Sequence, residues 1–271
     1  MVIKVNKNMN TLKTQTDNFI INTLPNDWSG VSIHGSKSWE PHITQILKRN
    51  FKLDSVFVDV GSNYGWHSIK SSSFCSVIYS FEPQKYIHDV QKMSINENNI
   101  SNIQLYNCGI GDKNENKEMS PIDYDSPSIH MGDLSVGIGG ESIEVRTLDS
   151  FQIPKVDFIK IDVQGYEKYV LEGGKNTIMS SKPTIIIEME DHQLRRFNYG
   201  VVELFEQLRS MDYYIYFLDY HYPSDHVCVH KDNLNEFIQI NGQYIKPLTN
   251  SNDLNRNIEN GVSEKIIYDQ D

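Results

Sequence analysis

The feature that most constrains this chain is Val58-Asp59-Val60-Gly61-Ser62-Asn63-Tyr64-Gly65-Trp66, a β-branched run that breaks at one glycine and again at a second. Val56 to Val60 has the composition of a strand, and a helix-length stretch follows Gly65. Glycines at 61 and 65 let backbone approach a ligand with no Cβ in the way. A strand that runs through such a turn into a helix opens a sheet of the α/β type, where ligands sit at the carboxyl ends of the strands.

The rest of the chain repeats that unit. Ser76 to Phe81, Ile103 to Asn107, Phe158 to Val163 and Thr184 to Met189 read as further short strands. Trp39, Ile43, Ile46, Leu47 and Phe51 fall at helical spacing ahead of the first strand, and Tyr86, Val90, Met93 and Ile95 do so after the second. Alternation of this kind predicts parallel strands joined by right-handed crossovers, hence an α/β, doubly wound, Rossmann-like sheet. Lys113 to Asp149, with Gly132, Gly137, Gly139, Gly140 and the alternating Ile143-Glu144-Val145-Arg146, predicts a β-hairpin insertion. Tyr213 to Leu218 and His226 to His230 flank Tyr222-Pro223-Ser224 and predict an antiparallel C-terminal strand pair. We expect an N-terminal extension over 1–38, one catalytic domain over 39–231, and a C-terminal extension over 232–271 with a mobile, Asn-rich end.

The turn also excludes two ligand classes. A dinucleotide fingerprint needs glycine where Asn63 and Trp66 stand, and a P-loop needs Gly-Lys-Ser/Thr after the glycine run. Glu82, in Ser80-Phe81-Glu82-Pro83, stands where the second strand ends, a position from which a carboxylate accepts both ribose hydroxyls. An acid-bearing turn with this glutamate suits an adenosine ligand that carries an amino acid and no phosphate.

Asp59-Val60-Gly61-Ser62-Asn63-Tyr64-Gly65, Ser80-Phe81-Glu82-Pro83 and Ile159-Lys160-Ile161-Asp162-Val163-Gln164-Gly165-Tyr166-Glu167 together resemble the FkbM-type methyltransferases. The resemblance runs from Trp39 to Met189 and takes in Trp39-Glu40-Pro41, Asn107 to Asp112, Val145 to Asp149 and Leu171 to Gly174. It implies a class I methyltransferase sheet and S-adenosyl-L-methionine as cofactor. It implies further that Asp59, Gly61, Ser62, Asn63, Tyr64, Gly65, Glu82, Pro83 and Asp162 bind that cofactor, with Asn107, Cys108 and Gly109 near the adenine. The acceptor implied is a hydroxyl of a sugar, glycan or natural product. One position departs, since Gln164 stands where the family usually carries glutamate.

Methyl transfer from a sulfonium is an in-line displacement, and a hydroxyl acceptor gains from a nearby base or metal. Candidates lie at the ends of the fourth and fifth strands: Asp162 first, then Glu188 and His192, with Gln164, Glu167, Glu190 and Asp191 alongside. Lys160 and Asp162 alternate onto one side, a pairing also seen in ribose 2′-O methyltransferases, but no second lysine completes that set. Val163-Gln164-Gly165-Tyr166 stands where an amino-methyltransferase would show Asn/Asp-Pro-Pro-aromatic, so oxygen is the expected acceptor. His226, Cys228 and His230 alternate on one strand; they read as one strand face or as a metal site, and metal dependence stays open.

A formal charge of −11 argues against nucleic acid and anionic membrane as partners and leaves a small-molecule or glycan acceptor. Three cysteines without close pairing, and no apolar segment long enough to span a bilayer, point to a cytoplasmic enzyme. The oligomeric state is open. Two other functions stay open: methylation of a protein or natural product, and a non-catalytic cofactor-binding module.

Overall fold

The computed structural model describes residues 10–120, 126, 128–129, 134–137, 139–218 and 224–248. Strands β1 (Leu12–Gln15) and β2 (Ile20–Thr23) form an antiparallel hairpin, followed by helices α1 (Trp28–Ser36) and α2 (Pro41–Asn50). Then come β3 (Val56–Val60), α3 (Trp66–Ser71), β4 (Val77–Phe81), α4 (Lys85–Glu97) and β5 (Ile103–Tyr106). After the short β6 (Gly109–Ile110), the insertion holds β7 (Glu115–Met119) and β8 (Glu141–Arg146), and the chain returns as β9 (Phe158–Ile161), α5 (Glu167–Gly173) and α6 (Lys175–Ser181). Strand β10 (Thr184–Glu188), helices α7 (Asp191–Leu194) and α8 (Val201–Ser210), β11 (Tyr213–Phe217), β12 (Asp225–His230), α9 (Leu234–Asn241) and β13 (Lys246–Pro247) complete it.

The main sheet has eight strands in the order β13-β11-β12-β10-β9-β3-β4-β5. Strands β5, β4, β3, β9 and β10 are parallel, and β12 enters antiparallel between β10 and β11. Central parallel strands are covered on both faces, which is why their sequences are nearly continuous apolar runs. Ile185, Ile186 and Ile187 of β10 are all buried, as are Phe57, Val58 and Val60 of β3. Each such side chain contributes about 1.5–3 kcal/mol by leaving water.

Strand order reverses between β3 and β9, the switch point at which the carboxyl ends of an open sheet form a crevice. Asp162 N donates to Val60 O (3.1 Å), so the chain leaving β9 stays beside the end of β3. This is the doubly wound class expected from the sequence, with its antiparallel C-terminal pair.

Two regions are more ordered than their sequences suggest. Within 1–38, the β1–β2 hairpin docks on α4: Asn22 N donates to Ser94 Oγ (2.8 Å), and Asn98 exchanges bonds with Ile20 N (2.8 Å) and Ile20 O (2.7 Å). Four-residue strands carry too few alternations to be read from periodicity, and their partners lie some eighty residues away along the chain. The insertion contains the expected antiparallel pair, β7 against β8, and β6, just ahead of it, pairs parallel to β8. In the C-terminal extension, α9 packs under β12 and β13 pairs with β11. Gly132, Tyr220, His221, Tyr222, Pro223 and the Asn-rich end lie outside the described residues.

Candidate active site

The turn after β3 is built on three positive backbone angles, at Gly61 (φ 79°), Asn63 (φ 50°) and Gly65 (φ 79°). Both glycines are sterically required. A Cβ on Gly61 would lie 1.9 Å from Asp162 O, and one on Gly65 would lie 2.5 Å from the Gln91 side chain. Gly61 N and Ser62 N donate to Phe81 O (3.1 and 3.0 Å), which ties the turn to the end of β4. Ser62 Oγ donates to Gln91 Oε1 (2.9 Å), and Gln91 Nε2 donates to Ser80 Oγ (2.7 Å).

Two carboxylates bracket this turn. Asp59 is buried in β3, where its Oδ2 accepts from Ser68 Oγ (2.6 Å) and its Oδ1 has no partner. Glu82, at the end of β4, accepts from Asn63 N through Oε2 and from Gln84 N through Oε1, both at 2.9 Å. Burial pushes the Glu82 carboxyl up to about 7, more than those two N–H groups pull it down. Asn107 Nδ2 donates to Glu82 O (3.0 Å) and Pro83 O (2.9 Å), holding the backbone that carries this carboxylate.

A cavity of about 440 Å³ opens over the carboxyl ends of β3, β4 and β9. Its floor is a hydrogen-bonded row. Lys160 Nζ contacts Asp162 Oδ2 (2.9 Å), and Gln164 Nε2 donates to both Asp162 Oδ1 and Glu188 Oε2, each at 3.0 Å. Gln193 Nε2 in turn donates to Gln164 Oε1 (2.7 Å). Gln164 sits at φ 57° in the left-handed region, a strained position for a residue with a side chain.

Burial alone would discharge Lys160, but the neighbouring Asp162, Glu40 and Asp59 reverse that and hold it charged well above its usual range. Glu188 moves the other way. Burial, then the fields of Asp162 and Asp225, raise it well above the carboxylate range. Two further pairs flank the cavity: His67 Nε2 with Glu40 Oε2 at 2.7 Å, and His42 Nε2 with Asp225 Oδ2 at 2.6 Å. Burial would raise Glu40, yet its bond to His67 and the charge of Lys160 hold it down at about 2. Burial pushes Asp225 up to about 6 against the pull of His42.

The cavity therefore brings together Gly61, Ser62, Asn63, Tyr64, Glu82, Pro83, Gly109, Asp162 and Glu188 from the sequence-based set. Others stand elsewhere. Gly65 N-caps α3, Asn107 serves the Glu82 backbone, and Cys108 faces the apolar core beneath the sheet. His192 is 61% exposed and pairs with Glu190 (3.2 Å), outside the cavity wall. Glu167 is buried with Oε1 accepting from Val163 N (3.1 Å) and Gly165 N (3.2 Å), so it shapes the backbone after β9. His226 bonds Ser224 O and packs on Phe217, while His230 accepts from Asp232 N. Among the described residues no group of three or more His, Cys, Asp or Glu is arranged to hold a metal ion.

Sequence reasoning missed Glu40, His42, His67 and Asp225, and the wall formed by Asp27, Trp28 and Trp39. One local signal existed at Glu40: it precedes Pro41 at the first turn of α2 and is itself held at φ 40°. Asp225 had none, because it reaches His42 across 183 residues of chain.

The model of the methyltransferase FkbM domain matches residues 59–222. The chain belongs to the FkbM methyltransferase family. It is 25% identical over 175 residues to the hexuronic acid methyltransferase AglP of Haloferax volcanii, covering 62% of this chain and 68% of that protein. It is 23% identical over 169 residues to Methyltransferase 1 of Beauveria bassiana, covering 52% and 67%. Among solved structures, Methyltransferase FkbM from Methylobacillus flagellatus superposes with a TM-score of 0.48 at 17% identity, over 67% of this chain and 44% of that one. This chain thus spans less than half the length of the Methylobacillus protein. A putative methyltransferase from Streptococcus mutans, solved in complex with SAH, superposes with a TM-score of 0.46 at 11% identity, over 69% and 94% of the two chains.

Proposed function

We propose that this FkbM methyltransferase uses S-adenosylmethionine to methylate a hydroxyl of a sugar or glycan. The observation that carries the proposal is that the glycine turn with Glu82 and the row Lys160, Asp162, Gln164, Glu188 line one cavity at the switch point of the sheet.

The residues present fit the cofactor. The turn leaves no room for a Cβ at Gly61, Asp59 Oδ1 and Asn63 Oδ1 are buried polar atoms without partners, and Glu82 offers a carboxylate for the ribose hydroxyls. Gly61, Asn63 and Glu82 would hold it, with Ser62, Tyr64 and Pro83 completing the contact surface and Asp59 buried behind the turn. Bound there, the cofactor supplies an electrophilic methyl group on a sulfonium.

The chain itself must place the acceptor and manage its proton. Asp162, fixed by Lys160 and Gln164, is the group to accept the hydroxyl's hydrogen bond. Glu188, whose carboxyl burial raises well above the usual carboxylate range, is the second group that can exchange a proton with the acceptor. The similarity to a hexuronic acid methyltransferase supports a sugar acceptor, and the net charge of −11 supports a partner other than nucleic acid. No described helix is long and apolar enough to cross a membrane. Three buried free thiols, Cys75, Cys108 and Cys228, suit a reducing cytoplasm.

The test is transfer of isotope-labelled methyl from S-adenosylmethionine to a pool of glycosides, with the product bond assigned by NMR. An O-methyl ether on a sugar carbon is the expected product. Label on nitrogen, or on protein alone, would overturn the sugar hydroxyl assignment.

A further inference from the structure

The cavity wall contributed by the N-terminal segment and the start of α3 is aromatic. Trp28 and Trp39 meet edge to face at 5.8 Å, and both line the cavity together with Trp66. Trp28 remains 58% exposed, unusual for so large an apolar side chain. It is nevertheless held in place: Trp28 N donates to Ile129 O (3.0 Å), and the preceding Asp27 accepts from Gly30 N (2.9 Å) and Tyr64 Oη (3.0 Å). Two polar atoms of the same wall, Trp66 Nε1 and His67 Nδ1, are buried without a protein partner. The apolar ring face of a sugar would cover the tryptophans.

The electrostatics set the charge of that ligand. Lys160 is the one lysine or arginine among the described lining residues, and Asp162 already neutralises it at 2.9 Å. Glu40 and Asp59 add to the field on the same lysine. A carboxylate or phosphate on the acceptor would approach Asp162 and Glu188 with no unspent lysine or arginine among the described lining residues to offset its desolvation.

Building on the O-methyltransferase reading, we infer that the acceptor is a pyranoside without an anionic group, seated against Trp28 and Trp39, and that uronates and sugar phosphates are rejected. This separates the chain from its hexuronic acid relative by the charge of the acceptor.

The experiment compares kcat/KM for a neutral glycoside fraction, a uronic acid glycoside fraction and hexose 1-phosphates, with S-adenosylmethionine saturating. Neutral glycosides are expected to be better by about a hundredfold or more. Trp28→Ala should raise KM for the neutral acceptor about tenfold, leave the Kd for S-adenosylmethionine within about twofold, and be rescued by Trp28→Phe. Preference for uronates or phosphates, or a Trp28→Ala enzyme with unchanged acceptor KM, would overturn the inference while leaving sugar methylation intact. Cofactor binding with turnover in none of the three fractions would remove the sugar reading and this inference with it.

Discussion

The two sides of the cavity are made differently. The side proposed for the cofactor is a continuous turn shaped mainly by backbone: Gly61, Ser62 and Asn63 are positioned by N–H bonds to Phe81 O and Glu82. The side proposed for the acceptor is assembled from side chains that are far apart in sequence, Trp28 and Glu40 before the first strand of the main sheet and Asp162, Gln164 and Glu188 at the ends of β9 and β10. Backbone geometry tolerates few residue types, so it leaves a local signature. Side-chain assembly leaves almost none, and it is the part that can vary with the acceptor.

Changes on the two sides should therefore fail differently. Gly61→Ala forces a left-handed angle on a residue with a Cβ and drives that Cβ into Asp162 O. It should cost about 3 kcal/mol or more, on the order of a hundredfold in cofactor affinity, in calorimetry on protein whose circular dichroism is unchanged. Asp162→Asn should lower kcat by about a hundredfold with cofactor Kd nearly constant, as steady-state kinetics beside calorimetry would show. If it lowers affinity and leaves kcat alone, Asp162 belongs to the cofactor side.

Glu82→Ala should weaken cofactor binding about tenfold without unfolding the chain. Because burial holds Glu82 up to about 7, wild-type affinity should rise as pH passes through that value and Glu82 becomes a pure acceptor. Unchanged affinity, or a flat profile, removes it as the ribose clamp.

Stability should respond to pH through the same buried acids. Glu167 is also raised to about 7, so between about 4.5 and 7 the folded chain keeps protons that the unfolded chain has released. Stability is then highest at the acid end of that window and falls as pH rises, by at most about 1.4 kcal/mol per pH unit for each group. Glu40, held at about 2, acts with the opposite sign and loses its contribution as pH falls below about 4.5. Glu167→Gln keeps an acceptor oxygen for Val163 N and Gly165 N, and its melting profile should be flatter from pH 5 to 8 than wild type. The smallest effect belongs to His192→Ala, which should change kcat/KM by less than about twofold because the side chain is exposed and away from the cavity wall.

What could be read in the sequence follows the same division. Strands β3, β4, β5, β9 and β10 were legible because buried parallel strands are short apolar runs, and Glu82 was legible because it ends one of them. The β1–β2 hairpin was not, since it is docked by Ser94 of α4 and by Asn98 just past the end of that helix. The bonds from the Asn107 side chain to the Glu82 and Pro83 carbonyls were not legible, because they join the ends of two neighbouring strands. The pairs Glu40–His67 and His42–Asp225 exist only once the chain has folded, because their partners lie on different elements, and Pro41 after Glu40 is the one local sign.

The most direct measurement is calorimetric titration of the full chain with S-adenosylmethionine and S-adenosylhomocysteine, with NAD as the control ligand. Micromolar binding of the first two, lost in Gly61→Ala and absent for NAD, is the expected result. Binding of NAD alone, or of none of the three, would contradict a methyltransferase cofactor site at this turn.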